Sequence, residues 1–451
     1  MSELNIQSAL ICPFENQEFS PAEIKNQIQK KQQQIKDLNI PALSNVLINN
    51  INSSDFLITL IACIYEKLVV YPSDLKKAGP YLDQTIHDYQ IQYIYDGQFQ
   101  RTSVDEQSHW AQKSHLVMFS SGTTGLPKGI PLNLEHIQNR IHAFQNKYSE
   151  HVQHALNFLP TSFGHGLIAN TLFPLASSRT LVLTQKFDIS VALQLAELID
   201  RHKITYFSSV PSVWNLLDKT KAPAPQNGSL KQVHCASAFL HESTFHFACN
   251  WISPSAEFII NYGLTECGSW ITSTANLNGV KTYKPGYVGT AVDCEIKIES
   301  SATDKSGEIL VNSVSIPDSY ITPENVRNPI KINGYLKTGD IGYFENDQIY
   351  LVGRKSEFIN VGGYKVSPNV IENTALRFKG VQAAAAISRP HPILGEQIAL
   401  IIETRDSFFK IDELKKFLSS ELTDHLVPKI IETIDQMPLL SNGKLNRKAL
   451  R

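Results

Sequence analysis

The chain has 451 residues, of which 42% are hydrophobic and 19% are charged, and its formal net charge at pH 7 is −2. A chain of this length is too long for one compact core, so two or three domains are expected. The near-neutral balance excludes the basic field that nucleic-acid binding requires, and nothing in it favours a membrane surface. Neither nucleic acid nor a membrane is therefore expected as a partner.

The N-terminal segment and the cysteines bear on where the protein works. Residues 1–17 contain no basic stretch leading into an apolar one, so no signal peptide is expected. The most apolar segment, residues 56–72, includes Glu66 and Lys67 and is too short to span a membrane; it predicts a buried helix followed by a strand. The six cysteines show no CxxC spacing and no zinc-type cluster with histidine. These features predict a cytoplasmic protein with buried, reduced thiols.

From the N-terminus to about residue 265, helical patterns alternate with short apolar runs. Ile24, Ile28 and Ile35 are spaced as on one face of a helix within a Lys/Gln-rich stretch. Further amphipathic helices are predicted at residues 134–148 and 190–202. Strands are predicted at residues 116–121, 154–160, 180–184, 204–211, 232–238 and 257–263. This alternation predicts an α/β architecture with mostly parallel, buried strands.

The pattern changes in the last third of the chain. Short strands separated by Gly, Asp and Asn turns predict a small β subdomain between about residues 288 and 353. After the turn at Arg354–Glu357 the α/β character returns, which predicts a domain boundary there. The expected fold is therefore a large N-terminal domain (1–355) of α/β subdomains plus a small β subdomain, followed by a smaller α+β C-terminal domain (356–451).

The strongest local motif is SSGTTGLPKG, residues Ser120–Gly129, which directly follows an apolar strand. Its small and hydroxylated residues let backbone N–H groups approach phosphate oxygens, and Lys128 adds a positive charge. Counted from Gly122, the P-loop pattern fails twice, because Pro127 replaces the second glycine and Gly129 follows the lysine. The segment predicts a phosphate-binding loop of another kind, with a flexible turn as the structural alternative.

This loop resembles the signature loop of the adenylate-forming superfamily, which includes acyl-CoA synthetases, peptide-synthetase adenylation domains and firefly luciferase. Further segments match motifs of that superfamily in the same order, and the resemblance covers about residues 50–451. These segments are NYGLTE (Asn261–Glu266), YLKTGD (Tyr335–Asp340), GRKSEFINVGGYKVSP (Gly353–Pro368) and LSNGKLNRKAL (Leu440–Leu450). The resemblance implies an ATP-dependent ligase that forms an acyl-adenylate from a carboxylic acid, releases pyrophosphate and transfers the acyl group to a thiol.

The resemblance also assigns residues to the phosphates and the metal ion. The phosphate-binding residues would be Ser120, Ser121, Gly122, Thr123, Thr124, Gly125 and Lys128. Thr265 would bond the α-phosphate as a catalytic residue, and Glu266 would hold Mg²⁺. A single carboxylate is chemically sufficient for this task, because Mg²⁺ prefers one or two carboxylates together with phosphate oxygens.

The nucleoside part of ATP would contact another group of residues. By resemblance, Asn261, Tyr262 and Gly263 lie at the nucleotide, with Tyr262 stacked on adenine. Asp340 would accept hydrogen bonds from both ribose hydroxyls, and Arg354 would also reach the ribose. Taken without the resemblance, a turn aspartate and a surface arginine are the alternatives at the last two positions.

The C-terminal motifs imply a domain movement. Lys444 would bridge the substrate carboxylate and the α-phosphate and stabilise charge during in-line attack. Because it lies far along the chain from the phosphate loop, the C-terminal domain must act as a mobile lid that closes over the site. After adenylation, rotation of this lid would bring Gly362 and Gly363 beside the path of a phosphopantetheine thiol. The hinge position, usually Asp or Lys in the family, is Ser356.

The acid is expected to lack an α-amino group. Adenylation domains for α-amino acids carry an aspartate that would fall near Gly164, yet residues 157–175 contain no acidic side chain. A buried ammonium without a counter-charge is costly. Phe163, His165 and Gly166 resemble instead the pattern of fatty and aryl acid ligases. His165 is a candidate catalytic residue that gates the pocket, and a hydrogen-bonded core histidine is the alternative.

The thiol acceptor is expected to come from another molecule, because no carrier domain follows Lys444. Similarity of the GYKVSP segment to aryl and acyl ligases favours coenzyme A; the phosphopantetheine of a separate carrier protein is the alternative. ATP and Mg²⁺ are the other expected cofactors. Two further classes share these motifs: an oxygenase that oxidises its own adenylate, as luciferase does, and an inactive binding protein. An inactive protein should have lost Lys444, Glu266 or Asp340, and all three are present.

Overall fold

The structure is a computed structural model of the chain. It describes residues 4–49, 51–75, 82–105, 114–120, 128–275, 282–300, 305–322, 328–404, 408–439 and 445–450. Within these ranges, no helix has both the length and the apolar character needed to cross a membrane.

The α-helices of the described residues lie in two stretches of the chain, 21–251 and 368–421. They are α1 (Pro21–Asp37), α2 (Ser54–Tyr65), α3 (Leu82–Asp88), α4 (Leu134–Tyr148), α5 (Phe173–Ser177), α6 (Ile189–His202), α7 (Pro211–Thr220), α8 (Glu242–Trp251), α9 (Pro368–Leu376) and α10 (Ile411–Glu421). A wider π-helical segment, His165–Leu172, leads directly into α5.

The strands follow three successive groups along the chain. The first group is β1 (Ala9–Cys12), β2 (Gln17–Phe19), β3 (Asn45–Asn49), β4 (Val69–Ser73), β5 (Tyr93–Tyr95), β6 (Phe99–Arg101), β7 (Leu116–Ser120), β8 (Lys128–Leu132), β9 (His154–Asn157), β10 (Thr180–Leu183), β11 (Tyr206–Ser209), β12 (Gln232–Cys235) and β13 (Glu257–Ile260). The second group is β14 (Thr272–Ser273), β15 (Tyr287–Ala291), β16 (Glu295–Ser300), β17 (Gly307–Asn312), β18 (Ser319–Tyr320), β19 (Asn328–Pro329), β20 (Lys331–Ile332), β21 (Tyr335–Glu345) and β22 (Gln348–Arg354). The third group is β23 (Ile359–Val361), β24 (Tyr364–Val366), β25 (Ala383–His391), β26 (Gly395–Glu403) and β27 (Ile430–Ile434).

Helix α1 shows why a Lys/Gln-rich stretch folds as a helix. Ser20 caps its N-terminus in a capping box with Glu23, and proline occupies the first helical position. Ile24, Ile28 and Ile35 are buried on one face, as their spacing predicted. The cap and the apolar stripe therefore both stabilise this helix.

The first group of strands forms two mainly parallel sheets. One has the order β13-β12-β11-β9-β10-β1-β2 and is parallel except for β2, and the other has the order β6-β5-β3-β4-β7-β8, with β6 and β8 antiparallel. The predicted alternation of strands and helices is thus confirmed. In such sheets, ligands bind beyond the carboxyl ends of the strands. The loops after β11, β12 and β13 are therefore where a site is expected.

The second and third groups complete the architecture. An antiparallel sheet of order β14-β15-β22-β21-β17-β16 forms the predicted β subdomain. The last group forms a mixed sheet of order β24-β23-β26-β25, with β27 parallel to β26, around its own apolar cluster. A short turn, Lys355–Glu357, separates the two, and a domain boundary between residues 355 and 356 stays a prediction. All six cysteines are free, but Cys249 and Cys294 are only partly buried, contrary to the expectation that all would be buried.

His234 is an ionisable group inside the core of the N-terminal sheet. Its ring is fully buried, is stacked on Trp270 at a centroid distance of 5.1 Å, and shares a hydrogen bond of 2.9 Å between Nδ1 and Asn261 Oδ1. Burial lowers the pKa of His234 to about 3. The imidazole is therefore neutral in the folded protein at neutral pH.

This burial predicts a specific loss of stability on acidification. A depressed histidine pKa stabilises the fold fully above the ordinary pKa of about 6.5, and the contribution is lost as the pH falls toward 3. Between pH 7 and pH 5, the histidine should cost the original chain about 2 kcal/mol of unfolding free energy. The His234→Gln variant lacks this group, so its unfolding free energy should fall by that much less over the same range. Urea unfolding at the two pH values would measure this difference. The exposed-site variant His246→Gln should behave like the original, and equal pH dependence in all three proteins would contradict the assignment.

Candidate active site

Asp340 joins the loop after β13 to the β21–β22 hairpin of the β subdomain. Its Oδ2 accepts a hydrogen bond of 2.7 Å from the hydroxyl of Tyr262, just beyond β13, and its Oδ1 accepts one of 2.9 Å from Nε of Arg354, at the end of β22. Only 7% of Asp340 is exposed. Burial and the Asp340 charge raise the pKa of Tyr262, so its hydroxyl stays a donor. Three of the predicted nucleotide-binding residues therefore lie together.

The backbone around Asp340 is held by residues that sequence reasoning did not single out. The Asp340 N–H donates to Thr338 Oγ1 at 3.0 Å, and the Gly339 N–H donates to Glu308 Oε1 at 3.0 Å. The second oxygen of Glu308 accepts from Lys355 Nζ at 3.0 Å. An ionised carboxylate can accept about four hydrogen bonds, so Asp340 keeps capacity for the hydroxyl groups of a ligand.

Glu266, the predicted metal ligand, lies in the short turn Thr265–Cys267 that follows β13. Its Oε1 accepts a hydrogen bond of 2.8 Å from the hydroxyl of Tyr320. Burial and the Glu266 charge raise the pKa of Tyr320, so the phenol is a stable donor. Lys128 Nζ lies 5.1 Å from the centroid of the Tyr320 ring, which brings the predicted phosphate-loop lysine toward the same turn. Tyr320 belongs to no motif and was missed by the sequence analysis.

Glu266 alone can supply the protein ligand of a bound Mg²⁺, which needs only one or two carboxylates from the protein. Within the described ranges, no group of three His, Cys, Asp or Glu residues could hold a metal ion by itself. Any divalent cation there would rely on Glu266 together with ligand oxygens, which is the arrangement Mg²⁺ prefers. One carboxylate oxygen bonded to Tyr320 would orient the other toward the cation.

The predicted phosphate loop connects two paired strands. Ser120 ends β7 opposite Lys128, which begins β8, in an antiparallel ladder. Five predicted phosphate-binding residues and the predicted catalytic lysine lie outside the described residues: Ser121, Gly122, Thr123, Thr124, Gly125 and Lys444. Lys128, at one end of this loop, lies over the ring of Tyr320, and Tyr320 donates to Glu266. The loop and the predicted metal ligand are therefore close to each other.

His165 begins the π-helical segment and faces the ends of β11 and β12. Its Nε2 lies 2.6 Å from Ser208 Oγ and its Nδ1 lies 2.9 Å from Ser237 Oγ. The ring also meets Trp270 edge-on at a centroid distance of 5.2 Å. A serine hydroxyl can donate or accept, so the two contacts suit a neutral imidazole in either tautomer. His165 is partly exposed and held from both sides, rather than enclosed in the core.

The backbone packing around Gly164 leaves no room for a side chain, acidic or otherwise, directly before His165. A Cβ atom on Gly164 would lie 2.0 Å from the carbonyl oxygen of Gly268, and one on Gly166 would lie 2.2 Å from that of Pro160. No side chain fits at either position without moving the backbone. The close packing thus gives a physical reason for the missing carboxylate.

Asn261 and Gly263 shape the turn after β13. The Asn261 side chain is buried, with Oδ1 near His234 Nδ1 at 2.9 Å and Nδ2 donating to Thr272 O at 2.9 Å. A Cβ on Gly263 would lie 2.3 Å from Cα of Trp270. Both residues therefore fix the backbone on either side of Tyr262 through contacts within the protein.

Gly362 and Gly363 form the exposed two-residue turn between β23 and β24. Their φ angles of +55° and +92° suit glycine, which tolerates the left-handed region that such hairpin turns require. The turn lies next to Leu394, whose carbonyl accepts from the Gly362 N–H at 3.4 Å. In this structure the two glycines are open to solvent.

Comparison with known proteins shows what class of fold carries this site. The o-succinylbenzoate CoA synthetase of Bacillus subtilis, solved with an acyl-adenylate intermediate, matches at a TM-score of 0.84 and 20% identity, covering 99% of this chain and 95% of that one. The fold is thus a large N-terminal α/β domain with a smaller C-terminal domain, as predicted.

Family models and curated relatives agree with this class. The model described as AMP-binding enzyme matches residues 62–321, more than half of the chain, and that of the AMP-binding enzyme C-terminal domain matches residues 370–444. The chain therefore belongs to the AMP-binding enzyme family, which confirms the resemblance in its motifs.

Two plant proteins are among the curated relatives. 4-Coumarate–CoA ligase 3 of Oryza sativa subsp. japonica is 30% identical over 352 residues, and 4-coumarate–CoA ligase 4 of Arabidopsis thaliana is 27% identical over 350 residues. Each match covers 74% of this chain. The matched region spans only 62% and 60% of the lengths of these two relatives.

The contact between Tyr320 and Glu266 predicts an effect on metal binding. Removing the hydroxyl in Tyr320→Phe should weaken Mg²⁺ binding in the presence of ATP by about tenfold, because a group that orients a metal ligand is lost. Calorimetric titration of ATP at graded Mg²⁺ concentrations would measure the change. Tyr343→Phe, which alters a stacked tyrosine in the β subdomain, is the matched control. Equal metal dependence in both variants would show that Tyr320 does not orient Glu266.

Proposed function

We propose that this protein is an ATP-dependent acid–thiol ligase. It activates a carboxylic acid as an acyl-adenylate, releases pyrophosphate, and transfers the acyl group to the thiol of coenzyme A. The observation that carries the proposal is the convergence of Tyr262 and Arg354 on Asp340, just beyond the end of β13, with Glu266 in the next turn of the same loop. Loops beyond parallel strands are where open α/β sheets bind nucleotides.

The residues divide the work of adenylation. Asp340 binds the ribose hydroxyls while Tyr262 packs against the adenine, and Arg354 orients the Asp340 carboxylate. Thr265 bonds the α-phosphate, and the loop from Ser120 to Lys128 holds the phosphates. Glu266 would hold Mg²⁺, which would supply positive charge to offset that of the phosphates and of the leaving pyrophosphate.

Lys444 completes the first half-reaction. It bridges the attacking carboxylate and the α-phosphate, where negative charge accumulates during in-line displacement. The C-terminal unit then turns about Ser356, in the short turn Lys355–Glu357, so that the Gly362–Gly363 turn faces the site. With no side chains at those two positions, a slim thiol arm can pass close to the backbone.

The acid is proposed to be an aryl or fatty acid without an α-amino group. The support is the absence of any space for a carboxylate at Gly164, since a buried ammonium needs a counter-charge. His165, fixed between Ser208 and Ser237, is proposed to line the acyl site. The names of the curated relatives, which are coenzyme A ligases of an aryl-substituted acid, agree with this class.

A separate carrier protein is the alternative acceptor. The exposed Gly362–Gly363 turn would suit the phosphopantetheine arm of either acceptor, because both present the same thiol. The relatives' names favour coenzyme A. Incubation of the acyl-adenylate with free coenzyme A, and separately with phosphopantetheinylated carrier proteins, distinguishes the two by the mass of the thioester formed.

The activity itself is tested by ATP–pyrophosphate exchange. Exchange should depend on added acid, with aryl or fatty acids active and α-amino acids inactive in a panel that also includes hydroxy acids. The reason is that exchange requires reversible formation of the acyl-adenylate and no thiol. A protein that binds ATP yet exchanges with none of these acids would contradict the proposal.

The role of Lys444 predicts a split between the two half-reactions. Lys444→Ala should lower adenylation by at least about a hundredfold, the order expected when a group that stabilises transition-state charge is removed. Thioester formation from a supplied acyl-adenylate should be nearly unchanged. Lys448→Ala, a lysine four residues further along, is the control. Equal loss of both half-reactions in Lys444→Ala would refute the assignment.

A further inference from the structure

The two described flanks of Lys444 lie side by side in the C-terminal unit. Leu439 and Leu445 form an antiparallel bridge, and the Asn446 N–H donates to Pro438 O at 2.8 Å. Met437 and Leu450 are buried in one apolar cluster against β25 and β26. We call residues 437–439 and 445–447 the lysine flanks. Their position decides where the segment between them can reach.

One lysine flank is tied to the N-terminal domain through Glu403. This carboxylate, at the end of β26, is only 5% exposed. Its Oε2 accepts the Met437 N–H at 2.8 Å, and its Oε1 accepts from Lys219 Nζ at 2.9 Å. Lys219 belongs to α7 in the N-terminal domain. A single buried acid therefore holds a lysine flank and a cation of the other domain at once.

The other lysine flank is tied to the same interface through α9. Glu372 is 3% exposed and accepts from both terminal nitrogens of Arg447, at 2.5 and 3.0 Å. The next residue, Asn373, places Oδ1 2.6 Å from Nδ1 of His241, which precedes α8. The interdomain contact and the anchor of the flank thus stand on adjacent residues of one helix.

The Gly362–Gly363 turn faces solvent. It is exposed, as is Tyr364 beside it, with 61% of its surface accessible. Among the described residues, the partners of the lysine flanks, Glu403 and the helix α9, also bond residues of the N-terminal domain. The glycine turn instead bonds Leu394 of its own unit. This arrangement matches the one in which Lys444 would act, before the thiol step.

We propose that Lys219 is a positioning residue for adenylation: through Glu403 it holds the Met437 flank, and hence Lys444, in the arrangement that serves the first half-reaction. The inference rests on the proposed function. Lys219 reaches no reacting group itself. Because Lys219 and Glu403 lie on opposite sides of the predicted domain boundary, rotation of the C-terminal unit must break their ion pair. The pair therefore favours one of the two arrangements.

The alternative is that Lys219 and Glu403 form an ordinary surface ion pair with no effect on adenylation. The Lys219 side chain is 38% exposed, and exposed pairs contribute little. Here, however, the partner carboxylate is buried, and a buried charge that loses its cation is costly. The two alternatives give different results when each half-reaction is measured separately.

The experiment compares Lys219→Ala and Lys219→Arg with the matched control Lys221→Ala. Lys221 lies two residues further on, and its side chain, 82% exposed, pairs with Asp218. Pyrophosphate exchange reports adenylation, and thioester formation from a supplied acyl-adenylate reports the second step. Hydrogen exchange at the Met437 amide, followed by mass spectrometry without substrates, reports the flank directly.

Lys219→Ala is expected to slow pyrophosphate exchange by about fivefold in kcat, with little change in the KM for ATP, the scale of a partly exposed ion pair. Its thioester step should be unchanged or faster. The Met437 amide should exchange faster, and Lys219→Arg should restore both properties. Lys221→Ala should match the original protein.

Other results would overturn the inference in recognisable ways. Unchanged amide exchange and unchanged adenylation in Lys219→Ala would mean that the pair holds nothing. Equal slowing of both half-reactions would indicate general destabilisation. If the original protein itself shows no acid-dependent exchange, the proposed function fails, and the inference about adenylation fails with it. A fully active original protein beside an unaffected variant refutes the inference alone.

Discussion

The arrangement of the candidate site depends on the hydrogen bonds to Asp340. A buried carboxylate without donors would be strongly destabilising, so the fold that buries it must supply both the Tyr262 hydroxyl and the Arg354 guanidinium. Tyr262 follows the last strand of a parallel sheet, whereas Asp340 and Arg354 are paired across the β subdomain. The subdomain is thereby held against the carboxyl edge of the sheet, and the predicted hinge residue, Ser356, lies two residues after Arg354.

Much of this architecture could be predicted from the sequence, because strands, helices and motifs are local in sequence. The apolar stripe of α1 and the alternating strands were found from periodicity, and Tyr262 and Asp340 lie in recognisable motifs. Tyr320, Ser208 and Ser237 could not be found, because their contacts join positions 54, 43 and 72 residues from their partners. Neither their residue type nor their spacing indicates which side chain they will meet; only the packing of sheets and loops determines it.

Around His165, close backbone contacts determine which residue types fit at neighbouring positions. Gly164 faces a carbonyl of Gly268 so closely that no Cβ fits, and Gly263 meets the backbone of Trp270 in the same way. Trp270, with 1% of its surface exposed, then fills the space behind the imidazole. A bulky side chain and two backbone contacts form this wall together, so a side chain added at Gly164 or Gly263 would require the backbone to move.

Three buried acids share one pattern of partners, which bears on how the domains could separate. Each accepts one backbone N–H and one cationic side chain: Glu308 from Gly339 and Lys355, Glu372 from Ala386 and Arg447, and Glu403 from Met437 and Lys219. The backbone donor lies in every case on the same side of the predicted boundary as the acid that it bonds, so the two can move together as one unit. Only Lys219 lies clearly across the predicted boundary. When that pair parts, Glu403 retains the Met437 N–H as a less firmly held donor and can gain water at the opened surface, which limits the cost of leaving its cation. A carboxylate with two such partners can therefore favour one domain arrangement without preventing the other.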